Sequence, residues 1–315
     1  MLGKLKANII SNLRNIPGWK TKRKILVFES DDWGTIRMPS KVVQDKLIKL
    51  GIKADQNYYN NNDSLECNND IEGLFEVLTR YKDKNGRSAA FTPICLVANP
   101  DFQKIRDNNF KEYFYEPVTE TLNKYGSSHN KVFQLWQEGI KNKIFVPQFH
   151  GREHLNVKRW MNCLNGDFPA TKLCFDYNFF GLSDVESNEI RGEFLAAVDI
   201  DDVSENIVLA EIIKDGLNLF EKLLGYKAEY FVAPNSLMNT GLEKDLSQMG
   251  IKFLIGSRNQ PESLGNGQYK TNFRYIGKKN EYGQTFLVRN SQFEHGQSAE
   301  QYGYEKCLKD IEAAF

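Results

Sequence analysis

The sequence predicts an α/β fold in which a parallel sheet curls into a closed or nearly closed barrel. Three observations carry this expectation. Short apolar runs alternate with helical patterns along most of the chain, several of those runs end in polar or charged residues, and no Gly/Ser/Pro linker divides the whole. Alternation of this kind builds parallel sheets, because each helix returns the chain to the same end before the next strand. At 315 residues, 41% hydrophobic and 26% charged, the chain can bury the core of one large domain.

The elements follow in order. Residues 1–22 form a basic N-terminal segment: Lys4, Lys6, Arg14, Lys20 and Lys22 precede any acid, and Leu2, Leu5, Ile9, Ile10 and Leu13 recur at roughly helical spacing. Such a helix packs beneath a domain with its lysines solvated, or lies on an anionic bilayer as a peripheral contact. Residues 23–315 are expected to form the barrel domain. Lys24–Ser30 is an apolar run delivering Asp31 and Asp32 to a sheet edge, and Asn57–Asp70, rich in Asn and Asp without periodicity, is expected to be an exposed loop. A helix over Ile71–Tyr81, a strand over Ala89–Ala98, a helix over Lys131–Lys141 and a strand over Lys143–Phe149 lead to His150. Beyond it the pattern predicts a long helix over Ser204–Leu224, strands at Ala228–Pro234 and Ile251–Gly256 flanking a helix at Asn239–Met249, strands at Arg274–Ile276 and Thr285–Asn290, and a last helix at Ala299–Ala314.

Charge and cysteine content exclude several function classes. Lysine plus arginine equals aspartate plus glutamate, 41 each, so no bulk field favours nucleic acid. Five scattered cysteines without a CxxC pair argue against a disulfide framework and a thiolate metal site. No run of 18 apolar residues and no signal-like N-terminus are present, which predicts a cytoplasmic, non-spanning protein.

Two of the four histidines stand four apart in His150-Gly-Arg-Glu-His154, directly after the apolar run Ile144–Phe149. Two imidazoles on one side of a turn, with a carboxylate from Asp31 or Asp32, make a three-ligand set for one divalent cation with an open position for water. Both halves of this set fall where strands end, the edge at which parallel α/β proteins bind ligands.

On these residues the sequence resembles the polysaccharide deacetylases (NodB homology, carbohydrate esterase family 4). Ser30-Asp31-Asp32-Trp33-Gly34 is similar to the first family motif, Thr-Phe-Asp-Asp-Gly; His150 and His154 match the second, His-(Ser/Thr)-x-x-His; and Tyr230 to Asn235, followed by Met249-Gly-Ile-Lys-Phe, resembles the third region. The resemblance spans residues 24–260. It implies a distorted (β/α)7-type barrel, with Asp32, His150 and His154 holding zinc or a similar divalent metal and Asp31 acting as general base on an acetylated sugar or glycan. It further implies a substrate surface near Trp33, Arg152, Pro234 and Asn235. Trp33, Trp136 and Trp160 can stack on sugars or fill the core.

The departures from the family pattern are specific. Val232 and Asn235 stand where the third motif carries Arg and an aromatic, so either Arg37 or Arg152 is expected to hold Asp31 instead, or the base is less well held. The fourth motif has no counterpart near Gly256-Ser257-Arg258. His295 is the candidate for the late histidine that acts as general acid, although it precedes the last helix, and the strand expected after that helix lies past Phe315, which leaves the barrel incomplete at its C-terminus. Two rival functions follow: a relative that binds glycans but no longer hydrolyses them, and an HxxEH zinc peptidase with Glu153 as base. Gly151 and the strand-like run before it oppose the continuous helix that the peptidase needs.

Overall fold

The structure, a computed structural model, describes residues 16–190, 193–294 and 296–314. The segment that begins the basic N-terminus therefore lies outside the described residues. Near the start of the described residues the Trp19 amide donates to the Ile276 carbonyl at 2.8 Å, tying this segment to the loop before the last strand.

Ten strands appear in chain order: β1 (Phe28–Trp33), β2 (Phe91–Leu96), β3 (Ala98–Pro100), β4 (Tyr115–Pro117), β5 (Gln148–Gly151), β6 (Tyr230–Val232), β7 (Phe253–Gly256), β8 (Asn259–Gly265), β9 (Gln268–Phe273) and β10 (Thr285–Val288). Six of them form one parallel sheet in the order β1-β2-β5-β6-β7-β10. The chain thus builds the predicted α/β architecture as a curled, open half-barrel of six strands. No backbone ladder joins β1 to β10, the two edges, among the described residues.

Helices cover the sheet where the period predicts them. The longest, Asn206–Leu224, ends at Gly225 with φ +82°, a left-handed residue that lets the chain turn off the helix. It crosses β5 closely, and a Cβ at Gly216 would meet Phe149 and Arg152 side chains at 2.8 Å. Helices Asn68–Arg80 and Val132–Lys141 lie together on the same core, which holds Trp136, Phe145, Phe149, Phe220 and Phe231. A second apolar cluster, around Trp160, Phe175, Phe179, Phe180 and Phe194, packs against Ile36, Met38 and Leu47 from the segment that follows β1.

Three local expectations are corrected. Within Asn57–Asp70 the chain forms a helix, Tyr58–Asn62, because the Asn57 side chain accepts from the Tyr59 and Asn60 amides; Asn60 is buried and donates to Glu186 at 2.5 Å. Arg274–Ile276 is loop, and the extended chain there is instead the antiparallel hairpin β8–β9 turning at Asn266-Gly267. The last helix is split at Gly303 into Ala299–Tyr302 and Tyr304–Ala314.

Candidate metal centre

The site is made by irregularities at two strand ends. Along the β1–β2 ladder Ser30 pairs with Pro93 and Trp33 with Cys95, so β1 carries one extra residue. In a regular strand Asp31 and Asp32 would point to opposite faces of the sheet. The bulge, together with a left-handed backbone at Asp32 (φ +69°), brings the two carboxyls to neighbouring positions at the same strand end. Left-handed backbone in a residue other than glycine is uncommon and is tolerated best by Asn and Asp. Gly34 then turns the chain with φ +85°, where a Cβ would stand 2.5 Å from the Leu96 carbonyl oxygen. At β5 the same device recurs: Cys95 pairs with Phe149 and Leu96 with Gly151, leaving His150 as the extra residue.

These two bulges face each other across β2. His150 Nε2 stands 3.0 Å and His154 Nε2 3.1 Å from the same oxygen, Oδ1 of Asp32. Both imidazoles are almost fully buried, at 2% and 3% exposure. The other nitrogen of His150, Nδ1, donates to the Val232 carbonyl at 2.7 Å, which fixes the neutral tautomer with a lone pair on Nε2. A lone pair facing a carboxylate oxygen is repulsive unless a proton or a cation lies between them.

The donor set therefore fits a divalent cation: the separations are close to the ~3.3 Å edge of a tetrahedron with bonds of ~2.0–2.1 Å. His154 Nδ1 is buried without a partner, so this imidazole is oriented by packing rather than by a second hydrogen bond. Electrostatics agree with tight coupling. Burial opposes the ionised form of Asp32, yet the charges and hydrogen bonds of His154 and His150 outweigh it and hold the carboxyl well below its usual range. Burial likewise opposes the charged form of His150, and the Asp32 hydrogen bond with the Asp31 and Asp32 charges holds it above the ordinary histidine value.

Asp31 is clasped from the far edge of the sheet. Arg289, one residue past β10, donates from Nη1 and Nη2 to the two Asp31 oxygens at 2.7 and 2.6 Å, and from Nε to Glu29 at 3.1 Å. A planar fork on both carboxylate oxygens fixes the rotamer of Asp31. Sequence reasoning missed this residue. The signal was present, because Thr285–Asn290 reads as an apolar run with a charge at its end, the same pattern that marked Asp31 and Asp32.

The expected holders of Asp31 are otherwise engaged, which corrects that part of the sequence reading. Arg152 donates from Nε and Nη2 to Glu153 and from Nη1 to Asp215, and lies over the Tyr115 ring at 4.4 Å. Arg37 forms no bond to Asp31; its guanidinium lies 5.1 Å from the Tyr59 ring centre. Arg152 is thus held in an ion-pair network with Glu153 and Asp215, and Trp33 packs edge-on against Phe91 and Phe145 at 5.7 and 5.5 Å. Trp136 and Trp160 are core residues. Pro234 lies beside Gly151, and the exposed Asn235 follows it in left-handed backbone (φ +53°). Glu153, the base of the peptidase alternative, is buried under Arg152, and His150 belongs to a strand rather than a helix. His295 lies outside the described residues; its neighbour Glu294 feels the charges of Asp32 and Asp31.

The chain is similar to solved structures of polysaccharide deacetylases. A polysaccharide deacetylase from Bacillus cereus aligns at 11% identity over 91% of this chain and 67% of its own, with a TM-score of 0.37. A de-N-acetylase from Aggregatibacter actinomycetemcomitans aligns at 11% identity over 84% of this chain and 92% of its own, with a TM-score of 0.35. A 4-alpha-glucanotransferase from Thermococcus litoralis aligns at 12% identity over 79% of this chain and 27% of its own, with a TM-score of 0.33. No family model and no curated protein matches the sequence. Among the described residues no helix is long and apolar enough to cross a membrane.

Proposed function

We propose that the chain is a metal-dependent hydrolase that removes acetyl groups from an N-acetylated or O-acetylated sugar or glycan. The observation that carries this reading is the pairing of a three-donor set, Asp32, His150 and His154, with a second carboxylate, Asp31, held beside it by Arg289. The motif resemblance at Asp31, Asp32, His150 and His154 supplies the substrate class. A divalent ion bound there, with zinc as the first candidate, would make water a stronger acid and polarise the acyl carbonyl.

The chain's own residues do the rest. Asp31, fixed by Arg289, takes the proton of the attacking water on a carboxylate oxygen. The Val232 carbonyl keeps His150 in the tautomer that presents Nε2. His295, which lies outside the described residues, is assigned the role of acid, giving a proton to the departing amine or alcohol. Asn235, exposed beyond β6, is the polar group next to Pro234 available to a sugar hydroxyl.

The test is metal analysis together with acetate release from a panel of N- and O-acetylated sugars. About one divalent ion per chain and release that depends on Asp31 and on the metal would support the reading. Stoichiometric metal without release from any acetylated sugar would favour a glycan-binding relative.

A further inference from the structure

Among the described residues Arg37 closes no ion pair, although the carboxyls of Asp63 and Glu193 feel its charge. It is 8% exposed, its Nε is buried with no partner, and no carboxylate of the described residues comes within ion-pair distance. Isolated buried charge is costly, and a guanidinium has five donors to satisfy. The Tyr59 ring at 5.1 Å offsets only part of that cost.

The backbone that carries Arg37 is nevertheless fixed. Asn99 accepts from the Ile36 amide at 2.9 Å and donates to the Gly34 carbonyl at 2.8 Å, so the loop after β1 is pinned on both sides of its turn. The neighbourhood is that of the metal donors. Tyr59 feels both the Arg37 and the Asp32 charges, as does Asp63, and Glu193 feels both Arg37 and His154. Burial raises both carboxyls, Asp63 to about 6, and neither closes on the guanidinium.

We propose that Arg37, backed by Tyr59, is an anion subsite beside the metal donors, and that the acetylated sugar carries a carboxylate or phosphate group which this guanidinium binds. The inference rests on the deacetylase reading for its sugar, and on Arg37 alone for its charge. A planar fork pairs with either oxyanion through two parallel bonds. A charge-assisted pair of this kind is worth about tenfold to a hundredfold in affinity.

The experiment is calorimetric binding of three probes to the zinc-loaded protein at low salt: N-acetylglucosamine, its 1-phosphate, and 2-acetamido-2-deoxyglucuronate. One of the two anionic sugars should bind at least tenfold more tightly than the neutral one, and which of them does so separates phosphate from carboxylate. Arg37→Met should erase the preference with zinc content unchanged, and should melt at or above the wild-type temperature, because it removes an unpaired charge. Arg37→Lys should keep part of the preference. Equal binding of all three probes by the wild type, or a preference that survives Arg37→Met, would overturn the subsite. So would a large drop in melting temperature for both variants, which would make the guanidinium structural. Acetate release separates the two proposals: an Arg37-dependent anion preference without release leaves the subsite standing and removes the hydrolase, and release without a preference does the reverse.

Discussion

Two adjacent aspartates occupy the end of β1, and removal of one carboxylate at a time tests the opposite duties proposed for them. Asp31→Asn should lower turnover by about 10²–10⁴-fold, the ordinary weight of a general base, while metal content stays near one per chain. Asp32→Ala and His154→Ala should lose the metal itself, as measured by elemental analysis after gel filtration. Metal retained by both of the latter would remove the site assignment. A third residue-scale prediction concerns Glu66, whose Oε2 accepts from the Gly34 amide at 3.0 Å. Burial pushes this carboxyl up to about 7 despite that bond. The folded state then keeps a proton that the unfolded chain loses near 4.5, so this group costs stability progressively as pH rises from about 4.5 through about 7. Glu66→Gln preserves an acceptor for Gly34 and removes the titration. In urea melts its stability relative to wild type should therefore increase between about pH 5 and pH 8, and a constant difference would show that Glu66 does not titrate in this window. Spacing alone made His150 and His154 legible in the sequence. For Arg289 the charge at the end of an apolar run was a local signal of position, but its partner, 258 positions away, left none.

Elements were legible where one face of a period is buried. The helix Asn206–Leu224 and strands β2, β6, β7 and β10 fall within the segments that periodicity marks, and β5, Gln148–Gly151, overlaps only the end of its expected range 143–149 and runs on through His150. The strand that carries the aspartates begins and ends later than its apolar run, at Phe28–Trp33, because ladder pairing rather than hydrophobicity sets its limits. Between residues 166 and 190 no periodic signal was legible, since Phe175 enters the second cluster from a helix of only eight residues, Pro169–Asp176, and Phe179 and Phe180 enter it from irregular backbone, as does Phe194 further on. The Asn-rich tract misled for a chemical reason: asparagine marks loops, and it also caps helices. Asn57 does the latter for Tyr58–Asn62, the helix that brings Tyr59 to Arg37. Asn57→Ala should cost about 1 kcal/mol of stability, by the usual weight of an N-cap, and a change within error in denaturant melts would show that the cap carries nothing. Gly34→Ala should cost more, because it meets both an unfavourable φ and the Leu96 carbonyl.

At the scale of the whole molecule, the sheet is a barrel left open between β1 and β10. Its strand alternation was readable in the sequence; the number of strands was not, because closure depends on pairing between the chain's most distant elements. Across the opening, Arg289 binds Asp31 and Glu29 by side chains where a closed barrel would use backbone ladders. Arg289→Met should therefore lower the melting temperature and the turnover together while metal content is unchanged, and a variant that loses turnover alone would confine Arg289 to the active site.

That bridge has a mechanical consequence. Among the described residues β1 has no backbone neighbour on its outer side, whereas Phe286 of β10 donates to the Lys278 carbonyl and accepts from the Gly277 amide, so it is the β1 edge that the clasp between Arg289 and Asp31 shelters. The base of the proposed reaction is also the latch of the fold. Hydrogen exchange at β1 should rise when Asp31 becomes Asn, more than at β10, whose outer side is bonded to the backbone of residues 277–279, with Glu29 keeping the seam from parting fully. In this molecule the breathing of the barrel and the work of its site share one joint.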